Sequence, residues 1–252
     1  MILALNTATP QFGIALMAAN GTVHSKIMLP RQKGHFGTLM PAFDFLLRES
    51  VRTTADITAV AVASGPGSFT GLRVSLSLAK GVCHALGLPL VGISTMAAMA
   101  SGVSPANLPV APVLYARKNE VFTALFTRDK GGELVRESKD ICLKFTDLHE
   151  VFRSPTHFVG DDFEGQRPLI KEVLGDRAVF APPQNWQLNP VQIGLLALKR
   201  LNDGDPDDPA TLTPVYMRPP DIRPNPFPLL TKSMAALSDP RGYPVDNSLE
   251  KR

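Results

Sequence analysis

Apolar positions along this chain follow two rhythms, period two and period 3.6, and the order of those rhythms occurs twice. Residues 1–6 form a short apolar run of buried-strand type. Residues 12–18 and 22–28 flank Asn20-Gly21, a dipeptide that suits the two-residue turn of a hairpin. A helical period follows within 35–49, with Leu39, Phe43 and Leu46 on one stripe. Pro41 places the regular start of that helix near Thr38, because proline fits a first turn but costs about 3 kcal/mol in a helix interior. A strand at 57–63, a glycine-rich turn, a long helix and a strand at 90–94 complete this half.

Residues 64–87 are the most informative stretch. The turn places Gly65, Gly67 and Gly71 around Pro66, Ser68, Phe69 and Thr70, so that a backbone or a ligand can approach closely. In the helix behind it, Leu72, Leu76, Ala79, Cys83 and Leu86 make one apolar stripe, and Val74, Leu78, Val82 and Ala85 make another. Arg73, Ser77, Lys80 and His84 keep a narrow polar seam. A helix apolar on two sides has something to bury on both, and periodicity alone does not say which stripe faces the sheet.

The second half restarts near Val110. Strand 110–115, a hairpin of 121–127 and 133–139 around Lys130-Gly131-Gly132, a short helix at 146–153 and strand 156–160 are predicted. A helix at 164–174, a strand at 178–180 and a helix at 190–201 follow. Shifting the first half by 109 residues lays Asn6 on Tyr115 and residues 12–16 on 121–125, the mark of a duplicated unit. The expected class is α/β: two ribonuclease H-like lobes with mixed sheets and flanking helices, similar to the actin, sugar kinase and Hsp70 superfamily. The expected division is a lobe at 1–102, a lobe at 103–218 and a proline-rich extended or flexible tail at 219–252.

Composition narrows the class. The chain has 252 residues, 44% of them hydrophobic, enough for a sizeable core, and a net charge of +3. Its basic residues form no cluster with aromatics, which gives little support for direct nucleic-acid binding. Two cysteines, Cys83 and Cys142, suit a reduced compartment better than a disulfide framework. No signal-like or membrane-spanning run occurs, so an intracellular, cytoplasmic protein without a membrane role is expected.

Candidate chemistry is sparse. The run from Gly65 to Gly71 lacks the lysine and the spacing of a phosphate-binding P-loop, and Thr70 breaks the dinucleotide pattern. Anion binding at the helix start, a tight turn and partner packing remain open there. Asn6 occupies the turn where enzymes of the superfamily place a metal-directed aspartate, and the equivalent Tyr115 is also uncharged. The histidines at 24, 35, 84, 149 and 157 show no i, i+4 pairing for a metal. Cys83 reads as packing, and Glu120, Asp161 and Asp162 either meet in the cleft or, the favoured reading, serve as turn or solvated carboxylates. No metal and no cofactor are expected.

The run from Ser64 to Thr95 resembles the signature of the bacterial TsaB (YeaZ) family. His35-x-x-x-Leu39-Met40-Pro41, Ala116-Arg117-x-x-Glu120-Val121-Phe122 and Pro214-x-Tyr216-Met217-Arg218 resemble three further family motifs. The resemblance covers residues 1–218. It implies a non-catalytic adaptor that pairs with the catalytic paralogue TsaD and works with the ATPase TsaE in forming threonylcarbamoyladenosine at adenosine 37 of tRNA. It also implies homodimers when the partner is absent, and tRNA reached only through the complex. The implied pairing residues are Leu39, Phe43, Leu46, Leu72, Arg73, Leu76, Lys80, Cys83 and His84, with Val74, Leu78 and Val82 as the alternative stripe. Leu76→Arg is then expected to remove pairing while leaving the fold largely intact. Asn6 and Tyr115 stand where members typically show Asp, Phe36 where they show Ser, and the tail is longer than usual. Phe36 either enlarges the pairing surface or packs internally.

Overall fold

The computed structural model describes residues 1–30, 35–104 and 107–217, apart from the side chains at 35 and 36. Phe36 as a pairing or packing residue, Arg218 of the closing motif and the tail 219–252 lie outside the described residues.

The first sheet holds β1 (Ile2–Asn6), β2 (Gln11–Met17), β3 (Val23–Pro30), β4 (Ala59–Gly65) and β5 (Leu90–Ser94), in the order β3-β2-β1-β4-β5. β1 runs antiparallel to β2 and parallel to β4. Every residue of β1 is buried, because helices cover both faces of the sheet. Leu3, Leu5, Ile14, Leu16, Val60 and Val62 point to one face, under α1 (Leu39–Glu49) and α2 (Phe69–Leu86). α1 lies over β2 and β3, and α2 over β4, β1 and β5, so the two helices run side by side on that face. Ala4, Ala15 and Ala61 point to the other face, which α3 (Thr95–Ser101) and α6 (Pro190–Asn202) cover.

The second sheet holds β6 (Val110–Arg117), β7 (Glu120–Thr123), β10 (Ile141–Lys144), β11 (Thr156–Gly160) and β12 (Ala178–Phe180), in the order β10-β7-β6-β11-β12. Strand for strand this is the first sheet again, with the same parallel and antiparallel neighbours. α4 (Leu148–Val151) and α5 (Phe163–Leu174) take the places of α1 and α2, and α3 and α6 each follow the fifth strand of their half. The duplicated ribonuclease H-like topology is therefore present, with a side hairpin, β8 (Phe126–Arg128) and β9 (Leu134–Arg136), added to the second half.

Three local features differ from expectation. The strand expected over 121–127 is two strands: at Leu125 the backbone leaves the ladder, its N–H donating to Ser138 Oγ and its carbonyl accepting from Glu137 and Ser138. β10 was not predicted as a separate strand. α3 was missed because Thr95, Met96, Ala98, Met99 and Ala100 are all buried, which erases any polar rhythm.

The lobe boundary expected at 102/103 is crossed by the chain. α6 packs on the first sheet through two glycines: a Cβ on Gly13 would lie 2.9 Å from Pro190 Cδ, and one on Gly194 would lie 2.4 Å from Met17 Sδ. Beyond α6, Asp207 N–H donates to Leu90 O at 2.8 Å, and Asp207 Oδ2 accepts from Gly92 N–H at 2.7 Å. Arg200 holds Asp205, Asp207 and Gly92 O together. Residues 1–217 accordingly form one compact unit. Among the described residues no helix is long and apolar enough to cross a membrane.

Candidate docking face and the glycine-rich turn

The glycines at the start of α2 are explained by the protein's own backbone. A Cβ on Gly71 would lie 1.9 Å from Thr7 O, one on Gly67 would lie 2.4 Å from Ala8 O, and one on Gly65 would lie 2.6 Å from Val215 O. Gly65 also has φ of 121°, a region that favours glycine. Ser68 N–H donates to Ala8 O at 2.7 Å and Thr7 Oγ1 donates to Gly71 O at 2.6 Å. Ser68 caps the helix by accepting from Gly71 N–H. These contacts account for the glycines as those of a tight turn packed on the protein's own backbone. The β1–β2 turn and the segment at Val215 occupy the approaches, and Pro66 is buried among them.

This seat fixes which stripe of α2 faces inward. Leu72, Leu76, Ala79 and Cys83 are buried against the sheet, as are Leu39, Phe43 and Leu46 of α1. The expectation that Leu39, Phe43, Leu46, Leu72, Leu76 and Cys83 meet a partner is therefore corrected: Leu72 is buried in the core cluster with Ala8, Ala61 and Ala63, and the other five cover the sheet face made by Leu3, Leu5, Ile14 and Val60. Leu76→Arg would put a charge into that core. Burial also pushes the Cys83 thiol up to about 11, which leaves it an inert packing group.

The other stripe is only partly covered. Val74, Leu78 and Val82 are half-buried and lean on the same core, Arg73 and His84 are exposed and Lys80 is half-buried. Met40 (54% exposed) and Phe45 (52%) stand out from α1, and Leu86 from the end of α2. Phe69 and Thr70 are exposed at the start of α2. Sequence reasoning missed Met40 and Phe45, since their positions off the Leu39 stripe gave no signal.

The junction between the halves is filled by polar groups in internal use. Asn6 is fully buried, its amide donating to Thr9 Oγ1 at 2.9 Å, Gln11 O at 3.3 Å and Leu188 O at 3.2 Å and accepting from Ala8 N–H at 3.0 Å. Gln11 reaches across to Asp161 O at 3.2 Å. Asp161 is buried, and desolvation pushes its carboxyl up to about 6, against the stabilising hydrogen bond from Gln166 Nε2 at 2.6 Å. Asp162 caps α5, and Tyr115 packs edge-on against Phe145. Glu120 sits in the β6–β7 hairpin, opposite Arg117 and Lys144 in register.

Two mixed sheets of equal order, joined by α3 and α6, define a two-lobed protein of the actin, sugar kinase and Hsp70 class. A family model described as TsaD, tRNA N6-adenosine threonylcarbamoyltransferase, matches residues 23–173. The Escherichia coli tRNA threonylcarbamoyladenosine biosynthesis protein TsaB is 36% identical over 190 residues, 72% of this chain and 81% of that protein. The Haemophilus influenzae protein of the same name is 32% identical over 227 residues, 86% of this chain and 93% of that one. The solved structure of YeaZ from Pseudomonas aeruginosa shares the fold, with a TM-score of 0.71 at 22% identity over 85% of this chain and 98% of that one. The chain belongs to the TsaB (YeaZ) family.

Two expectations follow from this geometry. Gly71→Ala, which drives a methyl into Thr7 O, lowers the urea midpoint by the equivalent of about 2 kcal/mol or more. Gly81→Ala, in the same helix with nothing within 4 Å of the added carbon, raises stability by roughly 0.5–1 kcal/mol. Asp161 gives a pH signature. Its folded-state value lies above its unfolded value, so the stability linked to its protonation is complete at low pH and is lost as pH rises through about 6. Asp161→Asn keeps one acceptor oxygen for Gln166 and removes the buried charge. Urea titrations from pH 4 to 8 should show the stability of the variant relative to the parent rising up to about pH 6 and level above it.

Proposed function

We propose that this chain is the non-catalytic subunit of the assembly that forms threonylcarbamoyladenosine in tRNA, and that the outer face of α1 and α2 docks on a catalytic paralogue of the TsaD kind. The observation that carries the reading is the exposed apolar pair Met40 and Phe45 on α1, together with Val74, Leu78 and Val82 on α2, which lean on the core yet keep part of their surface open, on two helices over one sheet face. Such a surface meets a helical partner over an interface of roughly 1,200–2,000 Å² in total, with an apolar centre and a polar rim. A second copy of this chain uses the same face when the paralogue is absent. The ATPase TsaE joins the assembly, the tRNA is reached through the complex at adenosine 37, and the work takes place in the cytoplasm. The names of the relatives and the match to a TsaD model support the pathway.

An enzymatic reading, as an actin-like ATPase or kinase or as a peptidase, has one favouring observation. A Pseudomonas aeruginosa structure with the same fold is described as similar to peptidase YEAZ. Against it stands Asn6, whose amide is fully engaged in holding the β1–β2 turn and the Leu188 carbonyl.

Leu78→Arg tests the face. The variant should fold with some loss of stability, since half-buried Leu78 also leans on the core, and fail to co-purify with the paralogue, because an unpaired charge in a desolvated contact is strongly unfavourable. Leu76→Ala, by contrast, should lower stability by about 2–5 kcal/mol through the cavity it leaves. A modification assay reconstituted with and without the chain should depend on it, and the chain alone should turn over no ATP. Retention of pairing and activity by Leu78→Arg would overturn the assignment.

A further inference from the structure

Two sequence motifs 143 residues apart meet at the start of α2. Arg73 Nε donates to Tyr216 Oη at 2.8 Å, and the Arg73 guanidinium lies over the Phe69 ring with its carbon 3.9 Å from the centroid. The Phe69 and Tyr216 rings stack against each other, centroids 4.9 Å apart and tilted by 35°. All three side chains are nevertheless exposed, Phe69 at 43% and Tyr216 at 39%. An exposed arginine is ordinarily mobile; here one hydrogen bond and a ring face restrain it before any partner arrives.

The restrained arginine has unused capacity. Among the described residues its two terminal nitrogens make no hydrogen bond, and it has no ion pair. The surrounding helix is one-signed: α2 carries Arg73, Lys80 and His84 and contains no acidic residue in its 18 positions. Val74, half-buried, is the chain neighbour of Arg73, and Leu78 and Val82 continue its stripe, so the seam that carries Arg73 borders the apolar docking stripe.

Resting on the docking face proposed above, we propose that Arg73 is its polar anchor and takes a carboxylate of the catalytic paralogue in a two-pronged contact, with Phe69 and Tyr216 as positioning residues. The planar guanidinium presents parallel N–H groups that match a carboxylate, and holding it in place beforehand removes the ordering penalty of binding. The partner surface is accordingly acidic where it meets α2. A protein carboxylate is favoured over an RNA phosphate because the few basic residues of α2 form a narrow seam bordered by the apolar stripe of Val74, Leu78 and Val82 rather than a broad basic groove.

Titration calorimetry of the full chain against the purified paralogue, at low and high salt, tests the anchor with Arg73→Lys, Arg73→Gln, Tyr216→Phe and Leu78→Arg. Arg73→Lys keeps the charge and loses the fork, so affinity should fall about tenfold or more. Arg73→Gln should fall at least as far and flatten the salt dependence. Tyr216→Phe, which releases Nε, should weaken pairing severalfold while Phe69 stacking persists. Leu78→Arg separates the two claims: pairing unchanged in that variant would bring down the docking face itself. Pairing lost with Leu78→Arg but unchanged, in affinity and salt slope, with both Arg73 variants would bring down the anchor alone. Arg73 variants that pair normally yet lower retention of tRNA by the complex would also overturn it, in favour of a phosphate contact. Altered unfolding midpoints with unchanged affinity would reduce the cluster to a staple between Tyr216 and α2.

Discussion

The fit of the β1–β2 turn into the glycine-rich start of α2 is the constraint on which the rest depends. Thr7 O and Ala8 O lie where side chains on Gly71 and Gly67 would otherwise be, and two hydrogen bonds lock the contact. A helix seated that closely cannot rotate about its axis without driving carbonyls into Cβ positions. Its rotation is therefore set, and with it the division of the helix into a stripe buried against the sheet and a stripe only partly covered. The glycines of a motif that looks like a nucleotide loop serve to hold one helix in one orientation.

The second consequence is at the junction between the halves. Duplicated units of this topology offer a cleft, but here the turn residue Asn6 is turned to internal ends, while its equivalent Tyr115 is exposed and packs on Phe145. Asn6 ties the first half to Leu188, and Gln11 ties it to Asp161. α6 then lies on the first sheet, with Gly13 and Gly194 permitting the close approach. Two lobes become one unit through Asn6, Gln11 and α6, and the pairing surface proposed above lies on α1 and α2.

Much of this was legible in the sequence, for identifiable reasons. Period-two runs, Asn20-Gly21 and the 109-residue offset carried the sheets and their duplication, because both faces of each sheet are buried and the strands are correspondingly apolar. Pro41 marked the start of α1, which begins at Leu39 behind Thr38. The glycines announced a close backbone approach but could not say whose backbone. Two equal stripes on α2 could not reveal which one the sheet would take, since that depends on a tertiary contact with Thr7 and Ala8; the expected pairing set of Leu72, Leu76 and Cys83 turned out to be core. α3 was invisible because it is buried all round, and the meeting of Tyr216 with Phe69 and Arg73 spans a separation that no local pattern records.

Hydroxyl-radical footprinting of the chain alone and in the presence of its catalytic paralogue tests the central claim most directly. Met40, Phe45 and Leu78 should be labelled in the free chain and shielded in the mixture, while Leu76 stays dark in both. Shielding confined to the β3 edge or to α6, with Met40, Phe45 and Leu78 labelled equally in both samples, would contradict it.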